Sequence, residues 1–134
     1  MMTCLTDINL PTLVELAATW TPRLGMPIAV FPGLALTGKT IRQAVTDPEA
    51  QFEAACALHQ RYRTPVVLSA MDLSVEAEAF GCEVMMSDDE VPTVTGVLIH
   101  NLDEAKALRV PVVEKGRLTV YLETVKSLAG LPGR

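Results

Sequence analysis

Apolar residues recur along this chain in two alternating rhythms, one helical and one extended. Leu10, Leu13, Val14, Ala17 and Trp20 follow the i, i+3, i+4, i+7 spacing of one helix face, so residues 9–20 are predicted to be an amphipathic helix. Pro11 sits in its first turn, where a missing N–H costs nothing, and Thr21-Pro22 stops it. Residues 26–31 form a short apolar run closed by Pro32-Gly33, which predicts a buried strand. A brief helix over residues 38–45 follows. Asp47-Pro48 then resets the chain, with Asp47 as N-cap of a second helix on which Phe52, Ala55, Cys56, His59 and Tyr62 share a stripe. Residues 64–70 are almost continuously apolar rather than alternating, the mark of a parallel strand covered on both faces.

Beyond that run the pattern shortens. Residues 73–80 favour a helix ended by Gly81, residues 82–86 a strand, and Ser87-Asp88-Asp89-Glu90 a polar turn into the β-branched stretch 91–99, so a hairpin is expected. Asn101 or Asp103 caps a helix through Leu108, and Val110-Pro111-Val112 is extended. Leu118, Tyr121, Leu122, Val125, Leu128 and Ala129 make the clearest helical stripe, with Gly130 just past its end and Pro132 preventing continuation. Alternation of apolar strands with amphipathic helices is the pattern of an α/β fold built from βαβ units. These strands do not by themselves close a barrel, and residues 131–134 read as a connection to something further.

Composition narrows the function classes. At 134 residues and 49% hydrophobic content the chain can bury one core. A net charge of −5 without a basic stripe excludes a nucleic-acid binder that works by counterion release. Apolar runs such as 65–71 and 91–99 are far shorter than the ~20 residues of a membrane span, and Asp7 and Glu15 argue against a secretory leader, which makes the cytoplasm the expected location. Cys4, Cys56 and Cys82 are scattered, fitting reduced thiols rather than disulfides or a zinc clip, and neither His59 nor His100 stands at metal-ligand spacing.

Gly33-Leu-Ala-Leu-Thr-Gly38-Lys39-Thr40 matches the phosphate-binding P-loop pattern after a predicted strand. Against it, residues 34–37 are bulky and apolar for a loop that must wrap phosphate, and Asp47-Pro48 interrupts the helix that should follow. The plainer reading takes Gly33 and Gly38 as turn residues and Lys39 as a solvated charge. His59 reads as a packed or hydrogen-bonded helix residue, Met71, Met85 and Met86 as core fillers, and Asp88-Asp89-Glu90 as a hydrated turn.

A longer match points elsewhere. The stretch MDLSVEAEAFGCEVMMSDDEVPTVTGVLIHNLDEAKAL, residues 71–108, resembles the uroporphyrinogen decarboxylase family, in detail its methylcobamide:thiol methyltransferase branch, and residues 37–70 are similar in content and order. The resemblance implies the N-terminal portion of a (β/α)₈ TIM barrel, a fold that takes ~250 residues with its active site at the C-terminal ends of the strands. Residues 1–134 are thus expected to be one N-terminal segment of such a barrel, incomplete in this chain.

The resemblance also names a site. In the decarboxylases an Asp at a strand end, nine residues before a Gly, holds the substrate pyrroles. Asp72 stands nine before Gly81 and is the matching catalytic candidate; its plainer role is to cap the helix from Leu73. Glu76 and Glu78, two apart on a short helix, cannot share a face, and Glu76 is the candidate for substrate binding at the barrel mouth. The decarboxylase Arg-Gln-Ala-Gly-Arg-Tyr motif is absent, its place being taken by residues 31–38; Lys39 and Arg42 are poor replacements for arginines that clamp carboxylates.

Methyl transfer from a corrinoid protein to a thiol or related acceptor is therefore the leading expectation. The methyltransferase branch implies zinc and a methylcobamide, with zinc ligands outside this segment and no metal or cofactor bound by it. Expected partners are a corrinoid protein or small-molecule methyl donor, an acceptor, and either the remainder of a barrel or a second copy. The alternatives are a decarboxylase or decarboxylase-like homologue, a catalytically silent self-associating fragment, and nucleotide binding at Gly33–Thr40.

Overall fold

The computed structural model describes residues 10–21 and 25–131. Asn9, Cys4, the Pro22 helix stop and the 132–134 tail lie outside these residues. Among the described residues seven helices run in chain order: α1 (Leu10–Thr19), α2 (Leu34–Thr37), α3 (Ile41–Thr46), α4 (Pro48–Tyr62), α5 (Val75–Phe80), α6 (Leu102–Ala107) and α7 (Leu118–Ala129). A 3₁₀ turn, Phe31–Gly33, precedes α2, and strands β1 (Glu83–Met85) and β2 (Thr93–Thr95) form an antiparallel hairpin with Val84 opposite Val94.

Local chemistry sets most of the boundaries. Thr40 and Gln43 make a reciprocal capping box at the start of α3, satisfying two of the amides that a helix N-terminus leaves free. Asp47 accepts from the Glu49 amide at 3.0 Å while Pro48 opens α4. Asn101 accepts from the Glu104 amide at 2.9 Å and caps α6. Gly81 ends α5 at φ 108°, a left-handed conformation that an L side chain resists.

The core gathers around α4. Val30, Leu34, Ala44, Ala54, Ala55 and Ala70 are its buried members, with Phe31, Ile41, Val67, Tyr121 and Leu128 packed against them. A Cβ on Gly33 would stand 2.1 Å from the Ala54 carbonyl oxygen, so glycine is what lets the 3₁₀ turn lie directly on α4. The buried face of α4 is Ala50, Gln51, Ala54, Ala55 and Leu58. It is rotated from the predicted stripe, and Tyr62 is exposed. Small side chains won over large ones because close approach of neighbouring backbone requires them.

The two predicted parallel strands need correction. Residues 25–30 and 64–71 lie side by side, both contributing to a small cleft lined by Ala29, Val66 and Leu68 among others, but form no ladder among the described residues. Pro27 and Pro65 remove a backbone donor from each segment, and parallel pairing is the weaker kind. Gln51, 0% exposed, takes over part of that work: its side-chain amide donates to the Ala44 carbonyl at 2.8 Å and its side-chain oxygen accepts the Ala70 N–H at 3.1 Å.

The hairpin is tied to α3 rather than to these segments. The Asp88 carbonyl accepts the Ile41 amide at 2.9 Å, and Arg42 donates to the Asp88 carboxylate at 3.0 Å and to the Met86 carbonyl at 2.7 Å. The helix α7 packs on α4, where the Thr124 hydroxyl reaches the Pro48 carbonyl at 3.3 Å. Val120 and Thr124 are its buried residues, while Leu122 and Val125 of the predicted stripe are exposed. No helix among the described residues is long and apolar enough to cross a membrane.

Candidate functional site

Asp72 follows the apolar segment 64–71 and precedes α5, at the point where the chain turns from extended to helical. Its carboxylate is fully enclosed, with 0% side-chain exposure. One oxygen, Oδ1, accepts from the Ser74 amide at 2.9 Å and the Ser74 hydroxyl at 2.6 Å. The other, Oδ2, accepts from the Tyr121 hydroxyl at 2.9 Å and from Nη1 of Arg117. Asp72 therefore closes the turn that leads into α5, whose N-cap is Ser74 with no side-chain cap of its own, and the same carboxylate also reaches across to α7.

Arg117 is the hub of the cluster. Besides Asp72 it donates through Nε to Glu78 at 2.5 Å and through Nη2 to the Ser74 hydroxyl at 2.9 Å. Arg117 and Tyr121 stand at i and i+4, on one face of the first turn of α7, which is why both meet the same carboxylate. Glu78 faces this cluster from α5. Glu76, two residues earlier, is exposed and acts on the cluster only through its charge, which helps raise the Tyr121 phenol.

The electrostatics follow from these contacts. Burial pushes the Asp72 carboxyl upward, but hydrogen bonds from Ser74, Arg117 and Tyr121 outweigh it and hold the group below the ordinary carboxylate range. Burial works against the charge on Arg117, yet Asp72 and Glu78 keep it firmly protonated. Tyr121 is driven far above a normal phenol, first by burial and then by the Asp72 charge. The cluster is thus built on a carboxylate that is fixed in place and ionised at neutral pH. With four donors on two oxygens, Asp72 is suited to present a static negative charge and ill suited to shuttle protons.

The other candidates fall apart spatially from this one. Residues 33–38 close into helical turns, the Gly33 amide bonding the Val30 carbonyl and the Gly38 amide the Leu34 carbonyl, both at 2.8 Å, so the segment is no cradle of free N–H groups. Lys39 pairs with Glu53 at 3.3 Å. Nδ1 of His59 bonds the Thr64 carbonyl at 2.9 Å, a bridge from α4 to the next segment. Among the described residues no group of three or more His, Cys, Asp or Glu side chains could hold a metal ion.

Sequence reasoning found Asp72 and missed its partners. Arg117 lies 45 positions away and Tyr121 49, and nothing local marks either. The signal in the sequence is their i, i+4 spacing at the head of the clearest helix, where the apolar ring of Tyr121 also fits a packing stripe.

A short segment running extended into a helix, an enclosed aspartate at that junction, and a helical layer behind it are features of the strand-end sites of β/α barrels. The family profile described as uroporphyrinogen decarboxylase (URO-D) matches residues 17–134, and the chain belongs to that family. Among solved structures, a methyltransferase from Methanosarcina mazei superposes with a TM-score of 0.70 at 24% sequence identity, over 91% of this chain and 38% of that one. The fold is accordingly the N-terminal portion of a TIM barrel, and the chain spans 38% of the length of that structural relative. No protein of curated function matches the sequence significantly.

Proposed function

We propose that the protein supplies the Asp72-bearing part of an enzyme that moves a methyl group from a corrinoid protein to a thiol or related acceptor. The observation that carries this reading is the fold likeness to a methyltransferase, in a chain that lacks the arginine pair a porphyrinogen would need. A substrate with many carboxylates requires charge-assisted, geometrically matched donors. The cations nearest the missing motif, Lys39 and Arg42, each already face a carboxylate, Glu53 and Asp88 respectively.

In this reading Asp72 is a fixed, enclosed anion behind the barrel mouth that steadies positive charge through its field and through Arg117 and Tyr121, while Glu76, exposed beside it, contacts substrate. Zinc, which the family branch implies, finds no ligand set among the described residues. The remaining barrel wall would come from other polypeptide, whether further sequence or a partner.

The test is turnover by the full-length gene product. Incubation with methylcobalamin and a small thiol should bleach the methylcobalamin spectrum, and Asp72→Asn should slow this at least about tenfold. Uroporphyrinogen should remain unchanged. Porphyrinogen decarboxylation in its place would replace the reading by the decarboxylase alternative.

A second reading draws on exposed apolar side chains. Leu73, Val97 and Val110 are 83%, 70% and 84% exposed, more than a monomer of this size needs to leave in water. A chain that turns over neither substrate and elutes as a stable multimer in light scattering would be the silent, self-associating one.

A further inference from the structure

A cavity of about 730 Å³ opens between α5, the 109–116 loop and the first turn of α7. Its floor is apolar: Val75 and Val120 are buried and Ala79 is half-buried. Its charged lining is Glu78, Arg109, Lys115 and Arg117. Glu78 and Arg117 are committed to each other and to Asp72, so that cluster is closed on itself. Arg109 and Lys115 have no carboxylate within ion-pair distance among the described residues. Glu114, the acid adjacent to Lys115 in sequence, is exposed and does not line the cavity.

Two exposed cations without an ion-pair partner thus line one apolar-floored cavity in a chain of net charge −5. A low-dielectric wall beneath them focuses their field into the cavity rather than into bulk water. Few, convergent polar groups over an apolar surface are also how small-molecule sites are built.

We propose that this cavity binds a small organic anion, its oxyanion head between Arg109 and Lys115 and its short apolar body on Val75, Ala79 and Val120. The guanidinium of Arg109 supplies a planar two-donor fork and Lys115 a mobile point charge, a pair that suits a carboxylate-sized head. Anion binding at this cavity is independent of methyl transfer and is read without turnover.

Isotope-labelled protein is titrated with butyrate, with neutral butyramide and with sodium chloride while amide resonances are followed. Butyrate should move the amides of residues 109–120 saturably, with a dissociation constant on the order of 1 mM. Butyramide, and butyrate against the Arg109→Gln/Lys115→Gln double variant, should each bind at least about tenfold more weakly. Both substituted side chains are exposed and unpaired, so the α4 resonances should stay in place and report an intact fold. Shifts that fail to saturate, that butyramide or chloride reproduces, or that the double variant retains would each overturn the assignment.

Discussion

The guanidinium of Arg117 and the carboxylate of Asp72 meet across 45 positions of sequence, and neither has meaningful access to solvent at the contact. The contact joins the end of segment 64–71 to the start of α7, two pieces that a barrel must keep in register. A buried pair of this kind is weak evidence for net stability, because desolvating two charges offsets much of their attraction. Its removal from one side is another matter.

Arg117→Met should destabilise the chain by about 3–5 kcal/mol, since it strands the charge of the enclosed Asp72 carboxylate without its cation. Adding Asp72→Asn should restore part of the loss, because the uncompensated charge is then gone. Urea unfolding of both single variants and the double variant checks this: a double variant as unstable as the sum of the singles would mean that the pair is not coupled.

Acid should act through the same carboxylate. Its folded pKa lies below the ordinary 3.8, so the unfolded state binds its proton first. The contribution to stability is therefore fully present above the unfolded value and is lost as pH falls through the lower folded value. Wild-type stability should drop steeply below pH 3.8, and the Asp72→Asn variant should show a shallower drop over the same range. Identical pH slopes would place the acid sensitivity on other groups.

Gln51→Leu tests the clamp between α3 and segment 64–71. Leucine fills similar volume but leaves the Ala70 N–H and the Ala44 carbonyl without the partner that Gln51 supplies. Each such buried group costs about 1–3 kcal/mol. The expected result is a less stable protein whose Ala70 amide exchanges with solvent much faster than in wild type; unchanged exchange at Ala70 would contradict the assigned role.

Arg63→Gly runs in the opposite direction. Arg63 ends α4 at φ 54°, the one non-glycine residue with positive φ among those described, and its side chain is exposed. Relief of the left-handed conformation outweighs the extra chain entropy of glycine, so stability should rise by about 0.5–1 kcal/mol. Thermal melting should register a higher midpoint.

What could be read from residues alone was whatever neighbours in sequence decide. The capping residues Asp47 and Asn101, the Gly81 terminus, the polar turn at 87–90 and the hairpin around it all depend on groups within a few positions of each other. The resemblance over residues 37–108 carried the family and the barrel fold, which the profile match over 17–134 and the methyltransferase superposition support. Asp72 was singled out through that same resemblance and through its place after an apolar run.

Tertiary structure decided which faces are buried and what Asp72 touches. The face of α4 turned toward Gln51 and Ala54 because a glycine turn and two backbone groups, Ala44 and Ala70, had to fit against it. No periodicity encodes that demand. Segments 25–30 and 64–71 carry the composition of strands but form no ladder here, since a ladder depends on a partner's donors and Pro27 and Pro65 withhold two of them. Tyr121 reads in sequence as a packing aromatic, and nothing local singles out Arg117. Only folding brought both to one carboxylate, and burial there makes their hydrogen bonds strong enough to keep it ionised.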